Sequence, residues 1–127
     1  MQGIQRFSEQ NFRDLCNSLA HRDAHLQKII HQYSYPPMWS RPASFETLIH
    51  IILEQQVSLA SAKAALEKLR EKIVKITPEN LLVLTDEELR ACYFSRQKTG
   101  YARHLAQSIV SGALNLKKLS AAPDDII

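Results

Sequence analysis

The sequence predicts an all-α protein. Apolar residues recur at the three- and four-residue spacing of a helix through most of the chain, and no useful length of it alternates with the period of two that marks a strand. A serine, threonine or aspartate precedes nearly every apolar stretch, at the position where these residues cap a helix. The spacing and the caps together predict roughly seven helices.

The length and composition are those of an ordinary soluble globular protein, with 127 residues, 45% apolar and 23% charged. This length supports one domain, residues 1–127. No stretch approaches the ~18 apolar residues of a membrane span, and residues 1–12 lack the apolar centre of a signal peptide. We therefore expect a cytoplasmic protein that does not associate with membranes, with reduced thiols at Cys16 and Cys92.

Residues 1–34 are predicted to form the N-terminal helices. Ser8 can cap the first helix and Asp23 the second, and each helix carries one apolar stripe. Residues 35–43 form a rigid connector, because its three prolines prevent a helix from continuing. Trp39 in this connector is expected to pack the loop onto the domain.

Residues 44–127 are predicted to form the front part of a helical bundle, built around a central helix. Six apolar residues among the first nine after Ser44 surround most of this helix, which therefore belongs in a core. Gln55 and Gln56 end the helix, and Ser58 caps the next one, so only a few residues make the reversal. Polar side chains at the tip of a buried helix need a functional or structural explanation.

Further helices are predicted from their caps. Thr77 precedes a proline at a first helical position, Thr85 begins a capping box, and Ser95 caps the last long helix, which ends near Gly112.

A final helix is expected to begin at Ser120 or Ala122, with Asp124 and Asp125 in its first turn. Because the apolar pair at 126–127 would start a helix with no remainder, we expect the chain to be a fragment or truncated form of a longer protein.

Positive charge is concentrated in one segment of the chain. The net charge is +3, yet no acidic residue occurs between Leu89 and Pro123, where six basic residues lie, namely Arg90, Arg96, Lys98, Arg103, Lys117 and Lys118. Clustered basic residues suit a polyanion, because each neutralised phosphate releases counterions. A solvated helix face is the alternative interpretation.

No catalytic or metal-binding motif is present. The sequence lacks HExxH, GxSxG, a Walker loop and GxGxxG, and most of its acidic residues occupy helix caps or exposed faces. His21, Asp23 and His25 straddle a helix start, where solvated side chains are expected rather than metal ligands. His50 and Glu54 are expected to form a local pair. We therefore expect no metal, no cofactor and no catalytic residue in this chain.

Three segments of the chain resemble one protein family, and they occur in the same order as in that family. The segment PASFETLIHIILEQQVSLASAKAALEKL resembles the signature of the helix-hairpin-helix (HhH-GPD) DNA glycosylases, in the DNA-3-methyladenine glycosylase II branch. The flanking segments DAHLQKIIHQYSYPPMWSRP and LRACYFSRQKTGYARHLAQSIVSGAL are similar to those of the same branch. The resemblance covers nearly the whole chain and implies the N-terminal part of that helical bundle.

The resemblance implies base-excision repair of double-stranded DNA carrying alkylated bases. Enzymes of this family bend the duplex, turn the damaged base out of the stack and hydrolyse its N-glycosidic bond without a metal, using an aspartate and a water. The resemblance places Gln56 at the position of the wedge that fills the gap, with Gln55 beside it. In the alternative interpretation, the two amides only stabilise the end of the helix and the turn. Arg96, Lys98 and Arg103 are then candidates to bind phosphates or to support that surface.

Two departures from the family pattern affect these expectations. Tyr93 stands where the branch commonly has glycine, and a left-handed conformation would cost a tyrosine about 1 kcal/mol or more, so we expect a differently shaped turn. The hairpin L-x-G-[IV]-G-x-x-T-A and the catalytic aspartate of the family have no counterpart in this chain. Asp124 and Asp125 match first-turn helix acids and are not expected to replace that aspartate, so we expect no glycosylase activity from these residues.

Two further expectations follow. Because the apolar stripes of the central and last long helices lack partners, we expect self-association into a homo-oligomer. The alternative to a glycosylase is a non-catalytic helical module, in which the helices at 85–92 and 95–112 bind DNA as a helix-turn-helix or bind a protein.

Overall fold

The structure, a computed structural model, describes residues 7–125 and confirms the all-α prediction. The described residues form eight helices and contain no strand: α1 (Phe12–Arg22), α2 (Ala24–Tyr33), α3 (Phe45–Glu54), α4 (Leu59–Ile73), α5 (Pro78–Leu82), α6 (Asp86–Ala91), α7 (Arg96–Val110) and α8 (Leu116–Leu119). No helix in this part of the chain is long and apolar enough to cross a membrane. The expectation for the apolar pair at 126–127 lies outside the described residues.

The chain divides into two compact units, the first ending at Arg41 and the second beginning at Pro42. In the first unit α1 packs against α2, and the connector's Tyr35 donates a hydrogen bond to the Asn17 side chain, with 2.8 Å between the oxygens. The guanidinium of Arg13 lies 5.3 Å from the centre of the Tyr35 ring, at cation–π distance. The connector therefore folds back on α1 through Tyr35.

Three expectations for the first unit have different outcomes. Asp23 caps α2 as predicted, accepting hydrogen bonds from the backbone of the next turn. Ser8 makes the expected capping bonds, since its hydroxyl accepts the Asn11 N–H and the Asn11 side chain accepts the Ser8 N–H, but the regular helix α1 begins only at Phe12. The anchoring role expected of Trp39 is wrong, since its side chain is 86% exposed.

The core of the second unit lies between α3, α4, α5, α6 and α7. The central helix buries one face, formed by Phe45, Ile49 and Leu53 at four-residue intervals. Ile51, on another face, is 44% exposed, so the expectation that this helix is buried nearly all round is too broad. Ala102 and Ala106 of α7 are completely buried, and their small side chains allow α7 to pack closely on its neighbours α3 and α5.

Five predicted caps of the second unit are confirmed. Each capping hydroxyl accepts a hydrogen bond from the backbone N–H three residues later, at Ser44, Ser58, Thr77, Thr85 and Ser95. The capping box at Thr85 is complete, because the Glu88 carboxylate accepts the Thr85 N–H in return. This hydrogen bond is the main reason that the pKa of Glu88 is lowered. Lys72, whose Nζ lies 3.2 Å from Glu88 Oε2, lowers it further.

The end of the chain differs from the prediction. The short helix α8, capped by Asn115, lies just before the site where the last helix was expected, and Ser120 ends it rather than beginning another. Asp124 and Asp125 lie in a turn. Gly112 ends α7 as predicted, with φ at 81°.

Both cysteines are free thiols, and they differ in burial. Cys92 is buried and Cys16 is partly exposed. Burial raises the pKa of the Cys92 thiol, so this side chain behaves as a small apolar group of the core.

The turn from α6 to α7 corrects the expectation for Tyr93. This residue has φ at 66°, so the turn keeps the left-handed conformation that glycine favours. The Phe94 N–H donates to the Leu89 carbonyl and the Tyr93 N–H to the Arg90 carbonyl, which is the Schellman pattern at a helix end. Leu89 and Phe94 are both buried, and their packing holds Tyr93 in this conformation despite its side chain.

Replacing Tyr93 should relieve this strain. We expect Tyr93→Gly to be more stable than Tyr93→Ala by about 1 kcal/mol, because only the alanine variant keeps a Cβ in the left-handed region. Both variants lose the ring. The effect of this loss on stability is small, because the Tyr93 side chain is 62% exposed. Denaturant unfolding of the two variants measures the difference. Equal stabilities would contradict the strain argument.

Candidate nucleic-acid interface

The turn between α3 and α4 presents two amide side chains to solvent. Gln55 ends α3 in an extended conformation, and Ser58 caps α4 by accepting the Ser61 N–H. Gln56 between them has φ at 59°, in the left-handed region. Gln55 and Gln56 are both exposed. The turn therefore projects polar side chains from the point where two packed helices meet.

The conformation of Gln56 is unusual for a residue with a long side chain. Few non-glycine residues have positive φ, and such strained positions cluster at functional sites. The turn is held from both sides, because Leu53 before it is only 1% exposed and α4 begins at a capped serine after it. The packing of α3 and α4 thus fixes the backbone from which the Gln56 side chain extends.

Lys98 joins this turn to the start of α7. Its Nζ donates a hydrogen bond to the Leu53 carbonyl, 2.8 Å away, in the last turn of α3. Helix C-terminal carbonyls lack intrahelical partners and carry partial negative charge, so a lysine there satisfies and stabilises them. Since Ser95 caps α7 by accepting the Lys98 N–H, the same residue lies in the first turn of α7. Lys98 is a support for the turn in this structure.

An open groove lies beside the two glutamines, with a volume of about 660 Å³. Gln55, Gln56 and Lys98 line it together with residues that the sequence prediction did not assign to this surface, namely Val57, Ser95, Gln97 and Tyr101. The Gln97 amide nitrogen donates to the Tyr101 hydroxyl at 2.6 Å, so this aromatic ring is held in place. We call this surface the glutamine groove. Its lining combines amides, a cation and an aromatic ring, which are groups that contact nucleic-acid bases and phosphates.

The other two predicted basic residues lie away from the glutamine groove. Arg103 donates from Nε to Asp86 Oδ1 at 2.9 Å and from Nη2 to the Leu84 carbonyl at 2.7 Å. These bonds connect α7 to the loop before α6 and to Asp86, the first residue of α6. Arg96 lies with Arg103 and Arg90 in a second pocket. The structure therefore brings Gln55, Gln56 and Lys98 together and places Arg96 and Arg103 elsewhere.

Gln97, Tyr101 and Arg90 were missed by the sequence prediction. A spacing of four residues places Gln97 and Tyr101 on one face of α7, next to Lys98, and this pattern could have indicated them. Arg90 was counted only as part of the basic segment. The shape of the α6–α7 turn places Arg90 beside Arg96, and we expected a different shape for this turn from the sequence.

The predicted local pair on α3 is present. His50 Nε2 lies 4.0 Å from Glu54 Oε2, one helical turn away, at the outer limit of an ion pair. Glu54 is the last residue of α3 and directly precedes the glutamine turn. No group of three potential metal ligands occurs among residues 7–125.

Comparison with known proteins identifies the family to which this fold belongs. The family model described as "HhH-GPD superfamily base excision DNA repair protein" matches residues 49–127. The chain belongs to this superfamily of base-excision DNA-repair proteins. Among curated protein sequences, none matches the chain.

A solved structure gives a more particular likeness. The chain is similar to a crystal structure of a DNA-3-methyladenine glycosidase from Bacillus halodurans, with a TM-score of 0.78 and 25% sequence identity. The match covers 100% of this chain and 57% of that protein. The chain thus spans a little over half the length of the protein it resembles, and it has a glycosylase-like fold over that span.

Proposed function

We propose that the chain recognises alkylated bases in double-stranded DNA as the wedge-bearing part of a base-excision glycosylase. The observation that carries this proposal is the exposed, left-handed Gln56 at the tip of two packed helices. The likeness to the DNA-3-methyladenine glycosidase supports the choice of alkylated bases.

The physical task of such a wedge is to occupy a gap. Turning a base out of the duplex costs a few kcal/mol in lost stacking and pairing, and an inserted side chain offsets part of this cost. The Gln56 amide can both fill the gap and hydrogen-bond the edge of the orphaned base. Gln55, its neighbour on the same groove, is placed to contribute a second amide.

Rigidity makes an inserted side chain more effective, because less conformational freedom is lost on binding. The hydrogen bond from Lys98 to the Leu53 carbonyl fixes the end of α3 immediately before the glutamines. This bond favours a supporting role for Lys98, one of the two roles expected of it. The Lys98 charge also lies on the groove, where it favours an approaching phosphate.

The basic segment supplies the remaining attraction. Arg96 is exposed at the start of α7, and it makes no ion pair among the described residues. Arg103, with a side chain only 24% exposed and bound to Asp86, contributes mainly to the position of α7. We assign phosphate binding to Arg96 and support to Arg103.

We infer that these 127 residues have no glycosylase activity by themselves. Hydrolysis of an N-glycosidic bond requires a carboxylate held next to the extruded base, together with a positioned water. Asp124 and Asp125 are exposed in a turn after α8. Among the described residues, Asp86 is the carboxylate that lines either cavity, and it is bound to Arg103.

The wedge is tested by its dependence on DNA distortion. We expect Gln56→Ala to weaken binding to a duplex carrying a mismatch or an abasic gap about tenfold, because roughly 1.4 kcal/mol of gap filling is lost. Binding to intact duplex should change little. Fluorescence anisotropy at fixed salt measures both affinities.

Gln107→Ala is the matched control, because Gln107 is exposed on α7 and does not line the glutamine groove. Equal weakening on intact and distorted duplex would make Gln56 an ordinary contact residue and contradict the wedge. No measurable effect on either duplex would remove Gln56 from the interface and favour the non-catalytic helix-turn-helix module, which does not include this residue.

The absence of activity is tested with a duplex containing an alkylated adenine. We expect no release of the base by residues 1–127 and no change with Asp124→Asn or Asp125→Asn. Chromatography of released bases is the measurement. Turnover that either variant abolishes would show that the chain carries its own catalytic acid.

Self-association is the expected result of uncovered apolar side chains. Ile51, Val57, Leu59 and Val110 are between 44% and 71% exposed, and such surfaces commonly find a partner. We propose that the chain forms a homo-oligomer, with sedimentation velocity showing mass that rises with concentration. The variant Leu59→Lys should shift the equilibrium to monomer, and a wild-type monomer at high concentration would contradict the proposal.

A further inference from the structure

A pocket between α6 and α7 collects three arginines. Arg90 from the end of α6 and Arg96 and Arg103 from α7 line it, together with Asp86, and its volume is about 350 Å³. The three basic residues carry three positive charges against one negative charge, so the pocket has a net charge of +2. We call it the arginine pocket.

The arginine pocket is separate from the glutamine groove. Arg96, Gly100 and Arg103 follow one another at four- and three-residue spacing along one face of α7, whereas Gln97 and Tyr101 lie on the adjacent face. No residue lines both cavities. The first half of α7 therefore presents two chemically different surfaces.

One of the three guanidinium groups is already held in place. Arg103 uses Nε and Nη2 for Asp86 and the Leu84 carbonyl, and its side chain is only 24% exposed. These bonds leave the Nη1 donors for another acceptor. A guanidinium whose orientation is fixed before binding loses little freedom when it forms further hydrogen bonds.

The other two guanidinium groups are not paired with an acidic residue in the described part of the chain. Arg90 and Arg96 are exposed and form no ion pair within residues 7–125. Space remains between the side chains, because a Cβ built on Gly100 would meet no atom within 4 Å. The pocket therefore offers room and uncompensated positive charge at the same place.

We propose that the arginine pocket is a phosphate-binding site. Guanidinium groups match the tetrahedral oxygens of phosphate with paired N–H donors, and all three cations of the pocket are arginine. The phosphate belongs either to a DNA strand or to a free phosphate ion. The inference rests on the proposed function only in taking DNA as one of these sources.

The first experiment uses inorganic phosphate as the probe at constant ionic strength. We expect saturable binding with half-saturation on the order of 1 mM, as a few charge-assisted hydrogen bonds support. The Gly100 amide resonance should shift during the titration, which locates the site. The double variant Arg90→Gln/Arg96→Gln should lose this binding.

Lys117→Gln/Lys118→Gln is the matched control. It removes the same two charges from the same acid-free segment but lies outside the pocket, and it should bind phosphate as the wild type does. Arg90→Lys/Arg96→Lys keeps the charge and loses the guanidinium forks, and it should bind at least threefold more weakly. A circular-dichroism melt confirms that each variant is folded.

The salt dependence of duplex binding identifies the source of the phosphate. If the pocket binds backbone phosphates, Arg90→Gln/Arg96→Gln reduces the slope of log Kd against log salt by about 1 to 2, and the lysine control does not. An unchanged slope with lost phosphate binding would assign the pocket to a free phosphate.

Two results would overturn the inference: no saturable phosphate binding by the wild type, or equal losses in the arginine and lysine double variants. Neither result bears on Gln56→Ala, whose discrimination between intact and distorted duplex tests the wedge separately.

Discussion

The hydrogen bond from Lys98 to the Leu53 carbonyl is the interaction on which the proposed interface depends. It connects the last turn of α3 to the first turn of α7, two elements whose ends frame the glutamine groove. A helix C-terminus without such a partner would leave its carbonyls to water and its final turn to fray. Because Gln55 follows this turn directly, the bond sets the starting point of the proposed wedge.

Close packing of α7 is the second condition for this arrangement. Ala102 and Ala106 are completely buried, so one side of α7 lies against the core while the other side of its first two turns remains accessible. This accessible side contributes to two surfaces, the glutamine groove and the arginine pocket. One helix thus carries groups suited to a base and groups suited to a phosphate on adjacent faces.

Backbone strain occurs at both turns beside these surfaces. Gln56 and Tyr93 each have positive φ, and each follows the C-terminal end of a helix that packs through a buried leucine. At Tyr93 the Schellman bonds and the buried Leu89–Phe94 pair account for the conformation. At Gln56 no comparable set of bonds is present among the described residues, and the proposed insertion into DNA gives the strain a functional explanation.

The sequence by itself determined the helices and most of their starts, because a cap is a bond between residues three apart and its signal is local. It also indicated Gln55 and Gln56 through their place between two helices. Only the tertiary structure decided the partners of the basic residues: Lys98 reaches a carbonyl 45 positions away, and Arg103 is bound to the loop and helix start before the α6–α7 turn. Long side chains can bond in many directions, so their partners depend on how the helices pack, which no local pattern specifies.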